Sequence, residues 1–73
     1  MRRITLYGRP NCHLCDDARA VLDRVGEPYD VVDIESDDDL LKRYLERIPV
    51  VVVDGAETFD FFVDESTLRR LLH

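Results

Sequence analysis

The hydrophobic positions of this chain switch repeatedly between a strand rhythm and a helix rhythm. Residues 3–7, Arg-Ile-Thr-Leu-Tyr, read as a buried strand. Within residues 12–25 the apolar positions Ala18, Val21, Leu22 and Val25 recur at i, i+3, i+4 and i+7, which predicts one buried helix face. Arg19, Asp23 and Arg24 fall on the opposite face. Gly26 supplies a C-terminal stop, with Pro28 just beyond it. Residues 29–34, Tyr-Asp-Val-Val-Asp-Ile, are rich in β-branched and aromatic side chains and predict a second strand. Ser36 is placed to cap a second helix, with Asp39 as a weak capping-box partner. Leu40, Leu41, Tyr44, Leu45 and Ile48 supply that helix with an apolar face, and Pro49 ends it. The uninterrupted run Val50–Val53 predicts a strand covered on both faces. Asp54-Gly55 is a strong turn signal, and residues 57–62 return as a fourth strand. Asp64 can cap a last helix with Leu68, Leu71 and Leu72 on its apolar side.

The predicted order is therefore β-α-β-α-β-β-α, an α/β fold with a four-stranded mixed sheet flanked by helices. The β-α-β start implies a parallel pair with a right-handed crossover. There are no internal repeats and no linker, so residues 1–73 are expected to form a single domain with one small core.

Charge narrows the partners. Sixteen Asp plus Glu stand against ten Lys plus Arg, a formal net charge of −6. Nucleic acids and anionic membranes need basic patches, so neither is an expected partner. Asp37-Asp38-Asp39 reads as the first turn of a helix, where the macrodipole favours acidic residues. No signal-peptide core and no long apolar stretch occurs, which points to a cytoplasmic protein.

Within that frame the chemistry concentrates in Cys12-His13-Leu14-Cys15. These are the chain's two cysteines, placed where the first strand passes through Gly8-Arg9-Pro10-Asn11 into the first helix. A Cys-x-x-Cys at such a junction marks a thiol–disulfide redox site. The first cysteine lies at the helix start, where free N–H groups and the dipole favour an anion. The second lies one turn on, within bonding reach. A bridge this short constrains the unfolded chain little, so the pair reads as chemistry rather than as a staple. A reducing cytosol leads to the same reading.

With the motif, the Arg47-Ile48-Pro49 stretch before strand three and the element order together, the chain resembles a glutaredoxin-like protein of the thioredoxin-fold superfamily over essentially its whole length. The resemblance implies a cis Pro49 facing the cysteine pair, with the Ile48 backbone offering strand-like hydrogen bonds to a bound thiol substrate. Read without the family, Pro49 is simply a trans helix terminator. The resemblance also gives Arg9 the place of a basic residue that pairs with a substrate carboxylate or favours a thiolate; a solvated loop arginine is the alternative. Asp64 would meet the amino group of glutathione, or serve only as a helix cap. The chain departs from the family pattern by having His-Leu between its cysteines and no tryptophan. Where typical glutaredoxins carry a Gly-Gly pair that lets glutathione approach, it reads Phe61-Phe62-Val63-Asp64-Glu65.

The expected function is a dithiol oxidoreductase that reduces disulfides. Cys12 would be the nucleophile, because the thiolate is the reactive form and helix N-termini stabilise it. Cys15 would be the resolving thiol. His13 either supports the Cys12 thiolate when protonated or is solvated, while Asp16 and Asp17 oppose a thiolate. Tyr7 serves core packing or forms a substrate platform. Phe59, Phe61 and Phe62 alternate imperfectly, so at least one should be exposed and mark a partner surface. No bound cofactor is expected. Electrons would come from glutathione or a flavoprotein reductase, and the substrate would be a disulfide-containing protein or small molecule acted on by a monomer. The alternative is a metal or iron–sulfur module built on the cysteine pair, with His13 and His73 as further soft ligands. A closed zinc site needs four ligands, which makes a monomeric one a poor fit.

Overall fold

The computed structural model describes residues 3–72. Its elements follow in the order β1 (Ile4–Gly8), α1 (His13–Val25), β2 (Asp30–Asp33), a 3-10 turn (Ile34–Ser36), α2 (Asp38–Tyr44), β3 (Val50–Val53), β4 (Ala56–Asp60) and α3 (Glu65–Leu71). The sheet order is β2-β1-β3-β4. β1 runs parallel to β2 and antiparallel to β3, and β3 and β4 form an antiparallel hairpin. This is the mixed four-stranded α/β arrangement that the hydrophobic pattern predicts.

Side-chain alternation divides the core into two layers. Ile4 and Leu6 of β1 and Val51 and Val53 of β3 face α1 and α3, where they pack with Ala18, Leu22, Val63 and Leu68. Tyr7 of β1 and Val50 and Val52 of β3 face the other way, toward Ile34 and the Leu40, Leu41 and Tyr44 side chains of α2. Successive strand residues point to opposite faces, so a strand covered on both sides must be apolar throughout. That is why Val50–Val53 carries no polar interruption.

The helix ends show where local chemistry differs from the sequence expectation. Gly26 takes a left-handed φ of 84° and donates its N–H to the Leu22 carbonyl, closing α1 as predicted. Asp37, not Ser36, caps α2: its carboxylate accepts from the N–H groups of Asp39 and Leu40. Ser36 instead donates its hydroxyl to the Asp33 carbonyl within the 3-10 turn. The two residues are adjacent and both are good caps, and the turn after β2 decides between them. That turn also absorbs Ile34, which the pattern assigned to the strand. α2 ends at Tyr44, short of Pro49, and leaves Leu45 exposed. Asp64 caps α3 by accepting from the Ser66 N–H and the Thr67 hydroxyl. Leu68 of that helix is fully buried while Leu71 is exposed.

The hairpin carries an irregularity with a structural consequence. Asp54 and Gly55, at φ 51° and 85°, form the two-residue turn. Val52 then pairs with Glu57 but Val51 pairs with Phe59, so Thr58 is an extra residue in the ladder. The slip puts Glu57 on the α2 side and Phe59 on the α1/α3 side, which accounts for the imperfect alternation of the aromatic residues. On the α2 side Glu57 meets Arg47 at 2.7 Å and accepts the Tyr44 hydroxyl at 3.0 Å.

Three carboxyls sit below the ordinary range for causes the structure shows. Arg47, then the Tyr44 hydroxyl, lowers Glu57. The Thr67 hydroxyl and the Ser66 amide lower Asp64. Arg24 and Arg69 lower Glu65. A carboxyl whose pKa is depressed on folding adds stability that is present above its unfolded value and lost as pH falls through the folded one. The urea midpoint should therefore be level from pH 7 down to about 4.5, the ordinary glutamate value, and fall below it. Glu57→Gln should flatten that fall; an unchanged acid limb would show that the Arg47–Glu57 pair contributes nothing.

Candidate active site

β1 delivers the chain to the site. It ends at the buried Gly8, after which Arg9, Pro10 and Asn11 make an exposed turn with Asn11 at φ 60°, a left-handed conformation that asparagine tolerates better than most residues. Cys12 follows as the N-cap of α1, with extended backbone at φ −105° and ψ 114°. Its sulfur accepts the Cys15 N–H at 3.2 Å, and its carbonyl accepts the Asp16 N–H at 3.1 Å. A sulfur at this position faces the unsatisfied N–H groups and the positive end of the helix dipole. Cys12 is half-buried, whereas Cys15 is 4% exposed. The two are joined as a disulfide, with Cα atoms 5.2 Å apart.

Gly8 is part of this geometry, and reading the sequence did not single it out. A Cβ built on Gly8 would lie 3.0 Å from the Cys15 sulfur and 3.3 Å from its Cβ. The end of β1 and the first turn of α1 are thus in contact through a backbone with no side chain. The only sequence signal is a glycine immediately before the turn that leads to the motif.

The Ile48–Pro49 bond is cis, and Pro49 is buried at the start of β3. The Ile48 N–H is already used, donating to the Tyr44 carbonyl at 3.0 Å. The strand-like contact expected of this residue is therefore left to its carbonyl. Arg47 braces the same segment from the outside through Glu57 and, at 3.4 Å, Asp60. Its carbonyl and that of Pro49 both receive the Phe61 N–H, at 3.1 and 3.0 Å. Phe61 sits at φ 63°, a conformation that glycine adopts freely and phenylalanine rarely. One residue here thus has left-handed backbone but carries an aromatic ring. No sequence pattern announces such a φ.

The other candidate residues are spread around this centre. Arg9 is ion-paired with Glu35 at 2.6 Å and shares a cavity of about 330 Å³ with Gly8, Asn11, Cys15, Asp16 and Arg19. His13 is exposed in the first turn of α1. Asp64 is occupied as the cap of α3. Tyr7 is half-buried and packs its ring on Tyr44, with centroids 4.9 Å apart, so it serves the α2-side core. Phe59 packs on the other core layer, while Phe61 and Phe62 are exposed. Among the described residues no group of three or more His, Cys, Asp or Glu side chains could hold a metal ion, and His73 lies outside them. The metal alternative is not favoured. Among the described residues no helix is long and apolar enough to cross a membrane.

The family model for the glutaredoxin-like domain (DUF836) matches residues 3–73. This chain belongs to that family. The XcR50 protein of X. campestris is 34% identical, with a TM-score of 0.83 over 94% of this chain and 93% of that one. Protein Ne2328 of Nitrosomonas europaea is 26% identical, with a TM-score of 0.81 over 96% of this chain and 89% of that one. Glutaredoxin grx-1 of Archaeoglobus fulgidus shares the fold at 22% identity, with a TM-score of 0.70 over 100% of this chain and 88% of its own. A comparison with curated proteins finds no match. A glutaredoxin-like domain with a thioredoxin-like fold and a close Cys12–Cys15 pair supports thiol redox chemistry in general.

The Gly8 contact makes a stability prediction. Gly8→Ala overpacks the Cys15 side chain and should lower unfolding free energy by about 1–3 kcal/mol, the usual range for an added methyl in a filled site. A urea midpoint at the wild-type value would show that Cys15 moves aside freely.

Proposed function

We propose that this glutaredoxin-like domain is a cytoplasmic dithiol oxidoreductase that reduces disulfides through Cys12 and Cys15. The observation that carries the reading is the asymmetry of the pair: Cys12 is half-buried at the helix N-cap and accepts an amide N–H, while Cys15 lies buried one turn on. An anion is favoured at the first sulfur, and only the thiolate attacks a disulfide.

In the first step the Cys12 thiolate attacks one sulfur of the substrate disulfide. The substrate S–S bond breaks, its other sulfur leaves as a thiolate that takes a proton from water, and a mixed disulfide forms on Cys12. The Cys15 thiolate then attacks the Cys12 sulfur. The second substrate thiol is released, and Cys12–Cys15 becomes the disulfide. Two electrons pass from the protein dithiol to the substrate. Two glutathione molecules, or a flavoprotein reductase, return them by the reverse exchange.

The remaining candidates take supporting roles. The Ile48 carbonyl, just before the buried Pro49, accepts a backbone N–H from the bound substrate chain. His13, exposed in the first turn of α1, would favour the Cys12 thiolate whenever it carries a proton. Arg9 stands beside the motif paired with Glu35, and it would meet a substrate carboxylate by exchanging that partner. Asp64, already the cap of α3, would meet a substrate cation through its remaining lone pairs. Asp16 works against the thiolate. A less stabilised thiolate makes the pair a stronger reductant, with each tenfold in the equilibrium worth about 30 mV.

Equilibration in glutathione redox buffers, followed by alkylation and intact mass, tests the reading. The Cys12–Cys15 disulfide should form at a defined potential. Cys12→Ser should abolish exchange, and Cys15→Ser should accumulate a mixed disulfide on Cys12. A pair that stays reduced across the whole series would refute the oxidoreductase reading. Separately, Asp16→Ala should speed alkylation of reduced Cys12 by iodoacetamide at pH 7, as the opposing charge is removed; a slower or unchanged rate would remove Asp16 from the account.

A further inference from the structure

Resting on the dithiol reading, we infer that Leu14, Phe61 and Phe62 form the specificity surface of this domain and select a disulfide-bonded polypeptide with an apolar side chain beside its reacting cysteine. Leu14 stands inside the motif, between the two cysteines, and is 48% exposed. Phe61 and Phe62 are 50% and 71% exposed. With Ala18, Val21 and Val63 these three line a groove of about 300 Å³ along one side of α1. Single exposed apolar residues are ordinary on a protein surface; a contiguous group that includes the residue preceding Cys15 is a docking feature.

The Phe61 N–H bridges the carbonyls of Arg47 and Pro49, so the aromatic pair is tied to the cis-proline segment. Phe61 also holds a left-handed backbone at φ 63°. Backbone in this region costs a non-glycine residue of order 1 kcal/mol or more and persists where surrounding contacts impose it. The ring does not impose it, since half of the Phe61 surface faces solvent; the N–H bonds to the Arg47 and Pro49 carbonyls hold the backbone there.

Charge decides the occupant. The guanidinium groups of Arg9, Arg24 and Arg47 are each committed within the chain, to Glu35 at 2.6 Å, Glu65 at 2.9 Å and Glu57 at 2.7 Å. Arg24 is the cation of the groove itself, and Asp17 shares its lining. A small anionic thiol such as glutathione, with two carboxylates against one ammonium, finds apolar rings and engaged arginines here. A leucine or phenylalanine next to a polypeptide cysteine finds apolar surface to cover. The substrate cysteine engages Cys12, its backbone runs past the Ile48 carbonyl, and the neighbouring side chain lies against Phe61 and Phe62.

The test follows oxidation of the fully reduced protein by three probes: a pair of symmetric peptide disulfides that differ only in having Phe or Ser next to the cysteine, and oxidised glutathione. The Phe peptide should react at least about tenfold faster than the Ser peptide or oxidised glutathione, the discrimination expected when an apolar group gains a hydrophobic site. The ratio should fall toward one in Phe62→Ser and in Phe61→Gly, both of which keep the fold, since Phe62 is exposed and glycine suits the Phe61 backbone. Exchange with all three probes at equal rates, or a ratio that survives both substitutions, overturns this inference and leaves the dithiol reading standing. No exchange with any probe refutes the dithiol reading itself. A wild-type dimer in sedimentation that Phe62→Ser dissociates assigns the surface to a second copy of the chain and also overturns the inference.

Discussion

The contact between Gly8 and Cys15 fixes the end of β1 against the beginning of α1, and the site depends on it. A side chain at Gly8 would press on the Cys15 sulfur. With that space empty, Cys15 turns inward and is nearly sealed from solvent, while Cys12, three residues earlier, remains at the open N-terminus of the helix. The two sulfurs therefore lie within bonding distance but in different surroundings. One faces amide groups and water, the other the strand. Close approach of backbone to sulfur produces that difference.

The cis-proline segment is held by a different device. Tyr44 packs on Tyr7 and donates to Glu57, Glu57 receives Arg47, and Arg47 also reaches Asp60. These contacts join α2, the cis-proline segment and β4 on the α2 side of the sheet. The two Arg47 contacts are partly exposed ion pairs, each of which contributes little alone. Their effect is positional. The segment preceding Pro49 is anchored from α2 by the Ile48 N–H, from β4 by Arg47 and from the following loop by the Phe61 N–H.

Much of this was legible in the residues. The periodicity of α1, the all-valine β3 and the Asp54-Gly55 turn each had one reasonable reading, because packing and turn chemistry agreed. The motif showed its position at the helix start through spacing alone. What escaped had specific causes. Ser36 and Asp37 were rival caps, and a 3-10 turn too short to leave a periodic trace settled the choice in favour of Asp37. The bulge at Thr58 shifts the ladder by one residue, and no residue type there signals it. Gly8 looked like turn chemistry but acts through proximity to a sulfur seven positions away. The left-handed Phe61 contradicts its own local preference, so propensity argues against it. The misses cluster where tertiary contact overrides local tendency, and two of them border the site.

The bulge has a consequence beyond the placement of Glu57 and Phe59. A sheet ordered β2-β1-β3-β4 leaves β2 and β4 as its borders, each with hydrogen-bonding groups that another strand could use. Both borders carry acidic side chains, Asp30 and Asp33 on β2 and Glu57 and Asp60 on β4, and β4 is further distorted by the extra residue. A second copy of β2 at its own border would bring like charges together, while a strand arriving at β4, whose Glu57 and Asp60 are paired with Arg47, would meet an irregular ladder. The acids of β2 and the extra residue of β4 thus oppose growth of the sheet by strand addition at its two borders.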